Sequence, residues 1–481
     1  MAETLNATAI MAGGGDARLW LDPATGLNRY FSAPRPSETL AYASSTANDI
    51  SADAFAHVEA VLARIAPDGR LSPDHYALWL DRMRTRIRMA YCLADDVEIV
   101  FAPSGTDLEY VALACVAGRA PGGVLNILLG ADEVGTGCIH SARGRYFAAE
   151  TALGHATTAG ETVPGLEAVA LADVPVRIGG GEACTSQAMT AEIARAAEDG
   201  KEAGRHALVH VVHGSKTGLI VPSPGDIDRL RAKHDDGVSF VVDACQARIT
   251  SAALAGYLKH GAIVLLTGSK FIGGPPFSGF ALVPAAFAAR AAPLPAGFAT
   301  IFRRAEWPAG WPGADRLPAG ANLGLLLRLE ASLFELERFQ RLAPDAVERV
   351  VLAFHAAVRA EIVETLGARR VAPYPPGDRA EADDHPIEMR TLSTLDLSAL
   401  GGGATFEDAQ AWHKALIGQG VRLGQPVKCV KLPAGQWGAT LRIALSMPMI
   451  VERSALSDEE LAAAFKRDMK RIARALEAVS A

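Results

Sequence analysis

One stretch of the sequence, residues 239–280, decides the fold. It opens with Ser-Phe-Val-Val-Asp-Ala-Cys-Gln at 239–246 and, after a segment of helical length, continues with Ala-Ile-Val-Leu-Leu-Thr-Gly-Ser-Lys-Phe-Ile-Gly-Gly-Pro-Pro at 262–276. Two short apolar runs, 238–242 and 262–266, have the length and branched composition of a buried parallel strand, and each run ends abruptly in polar residues. The pattern predicts two parallel strands of an α/β sheet, and such sheets bind ligands at the carboxyl ends of their strands.

The polar residues that follow these two strands include a carboxylate and an amine. Asp243 follows the first strand, Lys270 follows the second, and a Gly-Gly-Pro-Pro break fixes the chain beyond the lysine. A lysine can form a Schiff base with an aldehyde, and a carboxylate can keep a pyridine nitrogen protonated so that the ring accepts electrons. The pair therefore predicts a site for pyridoxal 5'-phosphate, with Lys270 and Asp243 as its catalytic residues.

Length, composition and charge narrow the class of protein. The 481 residues are 49% apolar and 21% charged, which is typical of a globular enzyme, and the length predicts two domains, one of them large. A net charge of -7 without a stripe rich in Lys and Arg argues against a nucleic-acid partner. No run of 18 apolar residues and no basic start followed by an apolar core occur, so we expect no membrane partner and a cytoplasmic protein. The six cysteines form no Cys-x-x-Cys pair and the twelve histidines show no ligand spacing, so we expect reduced thiols and no metal site.

Three regions are predicted along the chain. Residues 1–50 are rich in Gly, Pro and Ser and are interpreted as an N-terminal arm that packs over its own subunit or a neighbouring one. Residues 51–320 are interpreted as a large cofactor-binding domain, and residues 321–481 as hinge helices and a small C-terminal domain. Within the large domain, the segment 292–320 is dense in Pro, Gly and Trp and is either an active-site or subunit-interface loop or a long surface excursion. Apolar patterns place further strands at 97–101, 124–129, 207–212, 387–392 and 440–445.

The strand at 97–101 runs into the turn Ser104-Gly105-Thr106, and a helical pattern follows. Ser104 and Asp107 have the spacing of a helix-capping pair. The same turn also directs backbone N–H groups and two hydroxyls at whatever lies over the helix N-terminus, where a dianionic phosphate fits. Both interpretations stay open for the turn itself, and its position before the Asp243 and Lys270 strands favours phosphate.

Two further sites follow strands. The strand at 207–212 ends in His213-Gly-Ser215-Lys-Thr-Gly, which lacks the first glycine of a nucleotide-binding P-loop, so we reject that function. His213 and Ser215 lie either near the cofactor or in a turn that closes the strand. Arg442 is the one large charge on the polar side of a strand predicted to be half-buried, where it would suit a substrate carboxylate or would lie at the surface.

Taken in order, the Ser-Gly-Thr turn, Asp-x-x-Gln, the lysine followed by Gly-Gly-Pro, and a late Leu-Arg-Ile-x-Leu-Ser strand resemble fold-type I pyridoxal phosphate-dependent enzymes of the class V aminotransferase and cysteine desulfurase-like group. The resemblance spans about residues 50–480 and implies a three-layer, mainly parallel α/β sheet with a smaller C-terminal α+β domain. It implies that Asp243 bonds the pyridine nitrogen, Gln246 bonds the ring 3-oxygen, Lys270 forms the Schiff base, Arg442 takes the α-carboxylate, and Ser104, Gly105, Thr106 and Ser269 hold the phosphate.

The sequence departs from this group at several positions. Related enzymes often carry His before the lysine, where this chain has Ser269, and a His that stacks on the ring, which residues 132–136 do not offer. The Gly-Thr pair that reaches a partner subunit's phosphate is replaced by Gly-Ala-Asn at 320–322. The nucleophilic cysteine of one group of desulfurases is replaced by Val427, and Cys429 lies about 6.6 Å further along an extended strand, so we interpret Cys429 as structural.

These residues predict an enzyme that acts on an α-amino acid or a related amine and that forms a homodimer. Lys270 acts as the base at the α-carbon, and transamination is the first expectation. Elimination or replacement at the β- or γ-carbon, including lyase chemistry like that of the desulfurases, is the second, because the same cofactor permits it. A catalytically silent relative is the third, which the intact pair of Asp243 and Lys270 disfavours.

Overall fold

The computed structural model of the chain describes residues 6–131, 133–135, 137–375 and 387–481. Its α-helices are α1 Ala7–Met11, α2 Ala52–Ile65, α3 Pro73–Tyr91, α4 Leu108–Val116, α5 Cys138–Ala142, α6 Ser186–Glu202, α7 Pro224–His234, α8 Ser251–Lys259, α9 Ala285–Ala288, α10 Leu323–Phe339, α11 Pro344–Ala357, α12 Phe406–Gly418, α13 Met447–Ser454 and α14 Asp458–Ser480. Its strands are β1 Leu40–Tyr42, β2 Glu98–Ala102, β3 Val124–Leu129, β4 Val169–Val174, β5 His206–His213, β6 Ile220–Val221, β7 Val238–Asp243, β8 Ile263–Thr267, β9 Gly279–Val283, β10 Arg369–Arg370, β11 Leu392–Asp396, β12 Val421–Leu423 and β13 Thr440–Ala444. Among these described helices, none is both long enough and apolar enough to cross a lipid bilayer.

A central sheet has the strand order β2-β9-β8-β7-β5-β3-β4, with β6 paired to β5. Strands β4, β3, β5, β7 and β8 are parallel, and β9 runs antiparallel to both of its neighbours. The predicted mixed α/β class with a mainly parallel sheet is confirmed. Sequence analysis did not identify β9. Its direction could not have been predicted either, because a short apolar run looks the same whether a buried strand runs parallel or antiparallel to its neighbours.

Alternate side chains of the central strands enter two different hydrophobic cores. Phe240, Val242 and Leu266 pack in the core that also contains side chains of α2, α3, α6 and α10. Val241 and Leu265 pack in a second core, together with side chains of α4. Because successive residues of a strand point to opposite faces, the sheet lies between two layers of helices.

Segment 292–320 belongs to the second core. Trp307 and Trp311 are buried, with centroids 5.2 Å apart, and Phe298 and Phe302 pack around Trp307. Of the two alternatives left open above, the long surface excursion is wrong, because the indoles and phenyl rings cover one face of the sheet.

A second sheet has the antiparallel order β10-β11-β13. The strand predicted at 387–392 is wrong in position: residues Met389–Thr391 form a short 3-10 turn, and β11 follows it. All residues of β13 are buried, so this strand is not half-buried as expected, because α12, β12 and β1 pack against it in addition to its ladder partner β11. The proposed division of the chain near residue 320 stays a prediction.

The N-terminal arm packs over its own chain. The buried guanidinium of Arg328, on α10, donates hydrogen bonds to the carbonyls of Met11, Gly13 and Gly14 at 2.6–2.9 Å. Further along the arm, β1 pairs in parallel with β12, which belongs to the C-terminal third of the chain. The arm therefore connects the central sheet region with the C-terminal region.

Candidate active site

A cavity opens at the carboxyl ends of the central strands. The register places Asp243 opposite Val212 of β5 and Leu265 of β8, so the polar residues after these three strands meet at one edge of the sheet. The cavity is lined by most of the residues that the sequence singled out: Ser104, Gly105, Thr106, Ser215, Asp243, Gln246, Ser269, Lys270 and Arg442. The structure thus brings nine of the ten predicted site residues together.

His213 is the predicted residue that the structure does not bring into this cavity. Its Nδ1 lies 3.0 Å from the Tyr257 hydroxyl, and the two rings meet edge to face with centroids 5.5 Å apart. The side chain is buried against α8, in a neighbouring pocket. The alternative of a strand-closing residue therefore describes His213 better than a cofactor contact.

Ser104 and Asp107 are joined within the turn between β2 and α4. Ser104 Oγ accepts the Asp107 N–H at 3.3 Å and donates to Asp107 Oδ2 at 2.5 Å, while α4 itself begins after Asp107 without a side-chain cap. Burial raises the pKa of Asp107 to about 7, although the hydrogen bond from Ser104 opposes the rise. Within the described residues, the backbone amides of Gly105 and Thr106 donate to no protein acceptor, so they remain available to an anion in the cavity.

Gly105 allows this turn to approach β8. A Cβ atom at this position would lie 3.0 Å from Thr267 Cγ2 and 3.4 Å from Cys245 Sγ. Both distances are at or below ordinary van der Waals contact. Only a residue without a side chain lets the turn and the end of β8 form one wall of the cavity.

Lys270 extends from the loop that follows β8. Ser269 Oγ donates to Thr267 Oγ1 at 3.1 Å, and Thr267 Oγ1 donates to the Cys245 carbonyl at 2.8 Å. The Asn48 side-chain amide, from the arm, donates to the Lys270 carbonyl at 2.5 Å. These contacts hold the backbone of the lysine, while its amine has no hydrogen-bond or ion-pair partner among the residues described.

Asp243 lies at the last position of β7, half-buried, and accepts the Cys245 N–H at 3.0 Å. A second pair of charges lies deeper in the protein: His210 Nε2, on β5, is 3.2 Å from Glu109 Oε2, on α4. Burial alone would lower the pKa of His210, but the charges of Glu109 and Asp243 raise it above its ordinary value. Asp243 is therefore one of the negative charges that act on His210.

The amide of Gln246 has a fixed orientation. Its Oε1 accepts from Arg248 Nη1 at 2.6 Å, and its Nε2 donates to the Ser45 carbonyl at 3.3 Å. Because an amide nitrogen carries two protons, one N–H remains for an acceptor in the cavity.

Arg442 is fully buried yet lines the cavity. Its guanidinium donates to the Gln425 and Ser45 carbonyls at 2.9 and 3.2 Å and to Thr46 Oγ1 at 3.2 Å. None of the carboxylates described in the structure forms an ion pair with it. Burial lowers the pKa of Arg442 to about 10, so the group still carries its charge at neutral pH. A buried guanidinium with uncharged partners favours binding of an anion.

Two further charged residues of the cavity were not identified from the sequence. Burial would raise the pKa of Glu133, but the nearby Arg177, whose guanidinium lies 2.6 Å away, and hydrogen bonds bring it below the ordinary value. Burial lowers the pKa of Lys216 to about 8, and the positive charges of Arg442 and Lys270 contribute in the same direction. Lys216 is thus a second amine in the cavity that is partly deprotonated near neutral pH.

The arm contributes cavity residues that the sequence did not reveal. Arg18, Tyr30, Ser45 and Thr46 line the cavity, and all of them come from the first 50 residues. Sequence analysis missed them because an irregular Gly-, Pro- and Ser-rich segment has no strand or helix period that relates its residues to a sheet edge. Asp132 and Thr136, which belong to the loop considered for ring stacking, lie outside the described residues.

No family model matches this sequence, and no curated protein matches it. Solved structures do match along almost the whole chain. A cysteine desulfurase from Thermococcus onnurineus NA1 is 16% identical with a TM-score of 0.54, and the match covers 91% of this chain and 95% of that one. Pyridoxamine-pyruvate aminotransferase from Mesorhizobium loti is 17% identical with a TM-score of 0.51, over 93% of this chain and 98% of that one. Ureidoglycine-glyoxylate aminotransferase from Bacillus subtilis is 13% identical with a TM-score of 0.52, over 87% and 89% of the two chains.

At these identities the similarity concerns the fold. This protein therefore has the fold of the fold-type I pyridoxal phosphate enzymes.

Proposed function

We propose that the protein is a pyridoxal 5'-phosphate-dependent enzyme that acts on an α-amino acid or a related amine, and that its first reaction is transamination. One observation carries the proposal: the Lys270 amine and the Asp243 carboxylate share a cavity with the Ser104–Thr106 turn, where two backbone amides have no acceptor among the described residues. An amine, a carboxylate and an anion site in one cavity are the groups that bind this cofactor.

The cavity residues fit the cofactor group by group. Lys270 would bind the aldehyde, Asp243 would keep a proton on the ring nitrogen, and the Gln246 N–H would donate to the ring 3-oxygen. The Ser104–Thr106 turn and Ser269 would hold the phosphate. The bound cofactor supplies an electron-withdrawing ring that stabilises negative charge at the α-carbon of the substrate.

The protein then positions the substrate and moves a proton. Arg442 binds the α-carboxylate, because its charge has no carboxylate partner within the described residues and its contacts hold the guanidinium in place. Once the substrate amine has replaced Lys270 at the aldehyde, the freed Lys270 amine would take the proton from the α-carbon in the same cavity. A homodimer located in the cytoplasm is part of this proposal.

Elimination or replacement at the β- or γ-carbon is the second candidate, because it needs the same cofactor and the same removal of a proton from the α-carbon. A thiol-dependent desulfurase reaction is disfavoured by the surroundings of Cys429. Its side chain is buried outside the cavity lining, and burial raises its pKa to about 12, so the reactive thiolate is scarce at neutral pH.

The first experiment tests the attachment of the cofactor. Purified protein is mixed with pyridoxal 5'-phosphate, reduced with borohydride and digested, and the labelled peptide is identified by mass spectrometry. We expect a visible absorption band before reduction and a label on Lys270, with both lost in Lys270→Ala. Lys216 is an internal control, since it lines the same cavity. A label on Lys216, or protein that stays colourless with the cofactor, would contradict the proposal.

The second experiment separates the two candidate reactions. The loaded enzyme is incubated with single amino acids, and pyridoxamine phosphate and 2-oxo acids are measured by chromatography. Transamination predicts pyridoxamine phosphate in an amount equal to the 2-oxo acid formed in a single turnover. Release of a 2-oxo acid without pyridoxamine phosphate would reject transamination in favour of elimination.

A further inference from the structure

We propose that Arg18, on the N-terminal arm, is a phosphate-binding residue of the cofactor site, so that the arm completes this site from within the same chain. This inference rests on the proposed function and adds a ligand group that the sequence did not reveal. The ligand is a phosphate monoester dianion, here that of the cofactor.

The position of Arg18 is the first argument. Its Nη1 donates to Thr106 Oγ1 at 3.2 Å and its Nη2 to Ser104 Oγ at 3.4 Å, which places the guanidinium against the two hydroxyl residues of the anion-binding turn. Arg18 and both hydroxyl residues line the cavity. A phosphate held by the Gly105 and Thr106 amides would therefore lie next to the guanidinium.

The second argument is that the guanidinium is held in one orientation. Asp16 accepts from Nε at 2.9 Å and from Nη2 at 2.7 Å, along one edge of the group. The rings of Phe147 and Phe277 lie near the guanidinium carbon, with centroids 4.9 and 4.7 Å away. Nη1, on the other edge, points to the turn, and a donor fixed in advance loses little conformational entropy when an anion binds.

The third argument concerns the hydroxyl of Thr106. Its oxygen accepts the proton of Arg18 Nη1, so its own proton is directed elsewhere. None of the described protein groups accepts that proton. A phosphate group in the cavity would accept this proton. Its oxygens would also accept the N–H groups of Gly105 and Thr106 and the second N–H of Arg18 Nη1.

The fold ties this residue to the core. Arg328 donates to the carbonyls of Met11, Gly13 and Gly14, and Asn322 donates to Gly14 at 3.0 Å. The segment that carries Asp16 and Arg18 therefore starts from a fixed turn. Asn322 and Arg328 thus anchor the arm, and the arm brings a cation to the phosphate-binding turn.

The test compares two ligands that differ only in the phosphate. Apoprotein of the wild type, Arg18→Gln, Arg18→Lys and Arg29→Gln is titrated with pyridoxal 5'-phosphate and with pyridoxal, and binding is followed by absorbance. Arg29 is exposed on the same arm and does not line the cavity, so Arg29→Gln is a matched control. Thermal unfolding of each apoprotein reports whether the arm and the fold are intact.

We expect Arg18→Gln to weaken binding of pyridoxal 5'-phosphate by about tenfold or more, because a charge-assisted hydrogen bond is lost, while binding of pyridoxal changes less than about twofold. Arg18→Lys should restore part of the difference, and Arg29→Gln should behave as the wild type does. Equal weakening of both ligands would show a purely structural role and overturn the inference. So would binding of pyridoxal 5'-phosphate by Arg18→Gln that is unchanged from the wild type. Failure of the wild type to bind either ligand would instead overturn the proposed function.

Discussion

Arg248 donates a hydrogen bond of 2.6 Å to Oε1 of Gln246 and thereby decides which end of the Gln246 amide faces the cavity. Arg248 is fully buried, and burial lowers its pKa to about 9, with the charge of Arg442 as a smaller cause. Its other donors bind Thr391 Oγ1 at 2.9 Å and Ser44 Oγ at 2.7 Å. A guanidinium can only donate, so the oxygen of Gln246 must face it and the nitrogen must face the cavity.

The first prediction follows from this orientation. In Gln246→Glu the carboxylate keeps the bond from Arg248 but can no longer donate to the Ser45 carbonyl, so we expect the free energy of unfolding to fall by about 1–3 kcal/mol. The second carboxylate oxygen faces the cavity as an acceptor, and we expect cofactor affinity to fall about tenfold. Denaturant unfolding and cofactor titration measure the two effects. Arg248→Met removes the donor from several buried acceptors and should lower the free energy of unfolding by about 3 kcal/mol. Unchanged cofactor affinity in Gln246→Glu would show that the amide nitrogen makes no contact there.

The second prediction concerns the strand contact behind Arg442. A Cβ at Gly424 would lie 2.2 Å from Ser45 Oγ and 2.9 Å from Arg442 Cβ, so Gly424→Ala must displace the arginine. We expect the KM for an amino acid substrate to rise about tenfold, with a smaller change in kcat, because the contact that we propose between Arg442 and the carboxylate would exist both before and during the reaction. Gly310→Ala is the control, since a Cβ there meets nothing within 4 Å. Equal KM and kcat values for Gly424→Ala and Gly310→Ala would show that Arg442 does not bind the substrate.

The third prediction concerns the buried pair of Glu109 and His210. The folded-state pKa of His210 is raised, against the effect of burial, by Glu109 and Asp243. A raised pKa means that the stabilisation is complete below the unfolded value of about 6.5 and is lost as the pH rises through the folded value. We therefore expect Glu109→Gln to lower the free energy of unfolding most at low pH, by about 3 kcal/mol, and less at alkaline pH.

The measurement is denaturant unfolding between pH 5 and pH 9 of the wild type, Glu109→Gln and a control. The control is Asp228→Asn, which removes an exposed contact of 3.3 Å with His260. It should change the free energy of unfolding by less than about 0.5 kcal/mol at every pH. A difference between wild type and Glu109→Gln that stays constant with pH would show that His210 does not titrate in this range.

The fourth prediction compares two glycines in equally open surroundings. Cβ atoms at Gly256 and Gly204 would both meet nothing within 4 Å, but Gly204 has a φ of +67° and Gly256 lies inside α8. Gly256→Ala should raise the free energy of unfolding by about 0.7–1 kcal/mol, because alanine loses less entropy in a helix. Gly204→Ala should lower it by about 1 kcal/mol, because an L-residue is strained in the left-handed region. Chemical unfolding of both variants measures the difference, and shifts of the same sign would contradict this reasoning.

Much of the fold could be predicted because its strands are short apolar runs that end in polar residues. The prediction for 124–129 matches β3 residue for residue, and those for β2, β5, β7 and β8 are correct to within one or two residues. The start of β11 was predicted in the wrong place because a fully buried run has no alternation of polar and apolar residues that marks its first residue. Its pairing with β13 sets that start. The antiparallel direction of β9 could not be read from its composition, since both directions bury the same side chains.

The amino-acid sequence alone determined that the carboxylate at 243 and the amine at 270 occupy one edge of a parallel sheet. Neighbouring parallel strands end on the same side, and this geometric property needs no knowledge of the remaining chain. Only the tertiary structure decided which other residues join them. It brings Arg18 and Ser45 to the cavity and Asn48 to the Lys270 backbone, all from an arm without periodic structure, and it turns His213 away toward Tyr257. Contacts between residues hundreds of positions apart are set by how packed surfaces fit together, and the local order of side chains does not encode them.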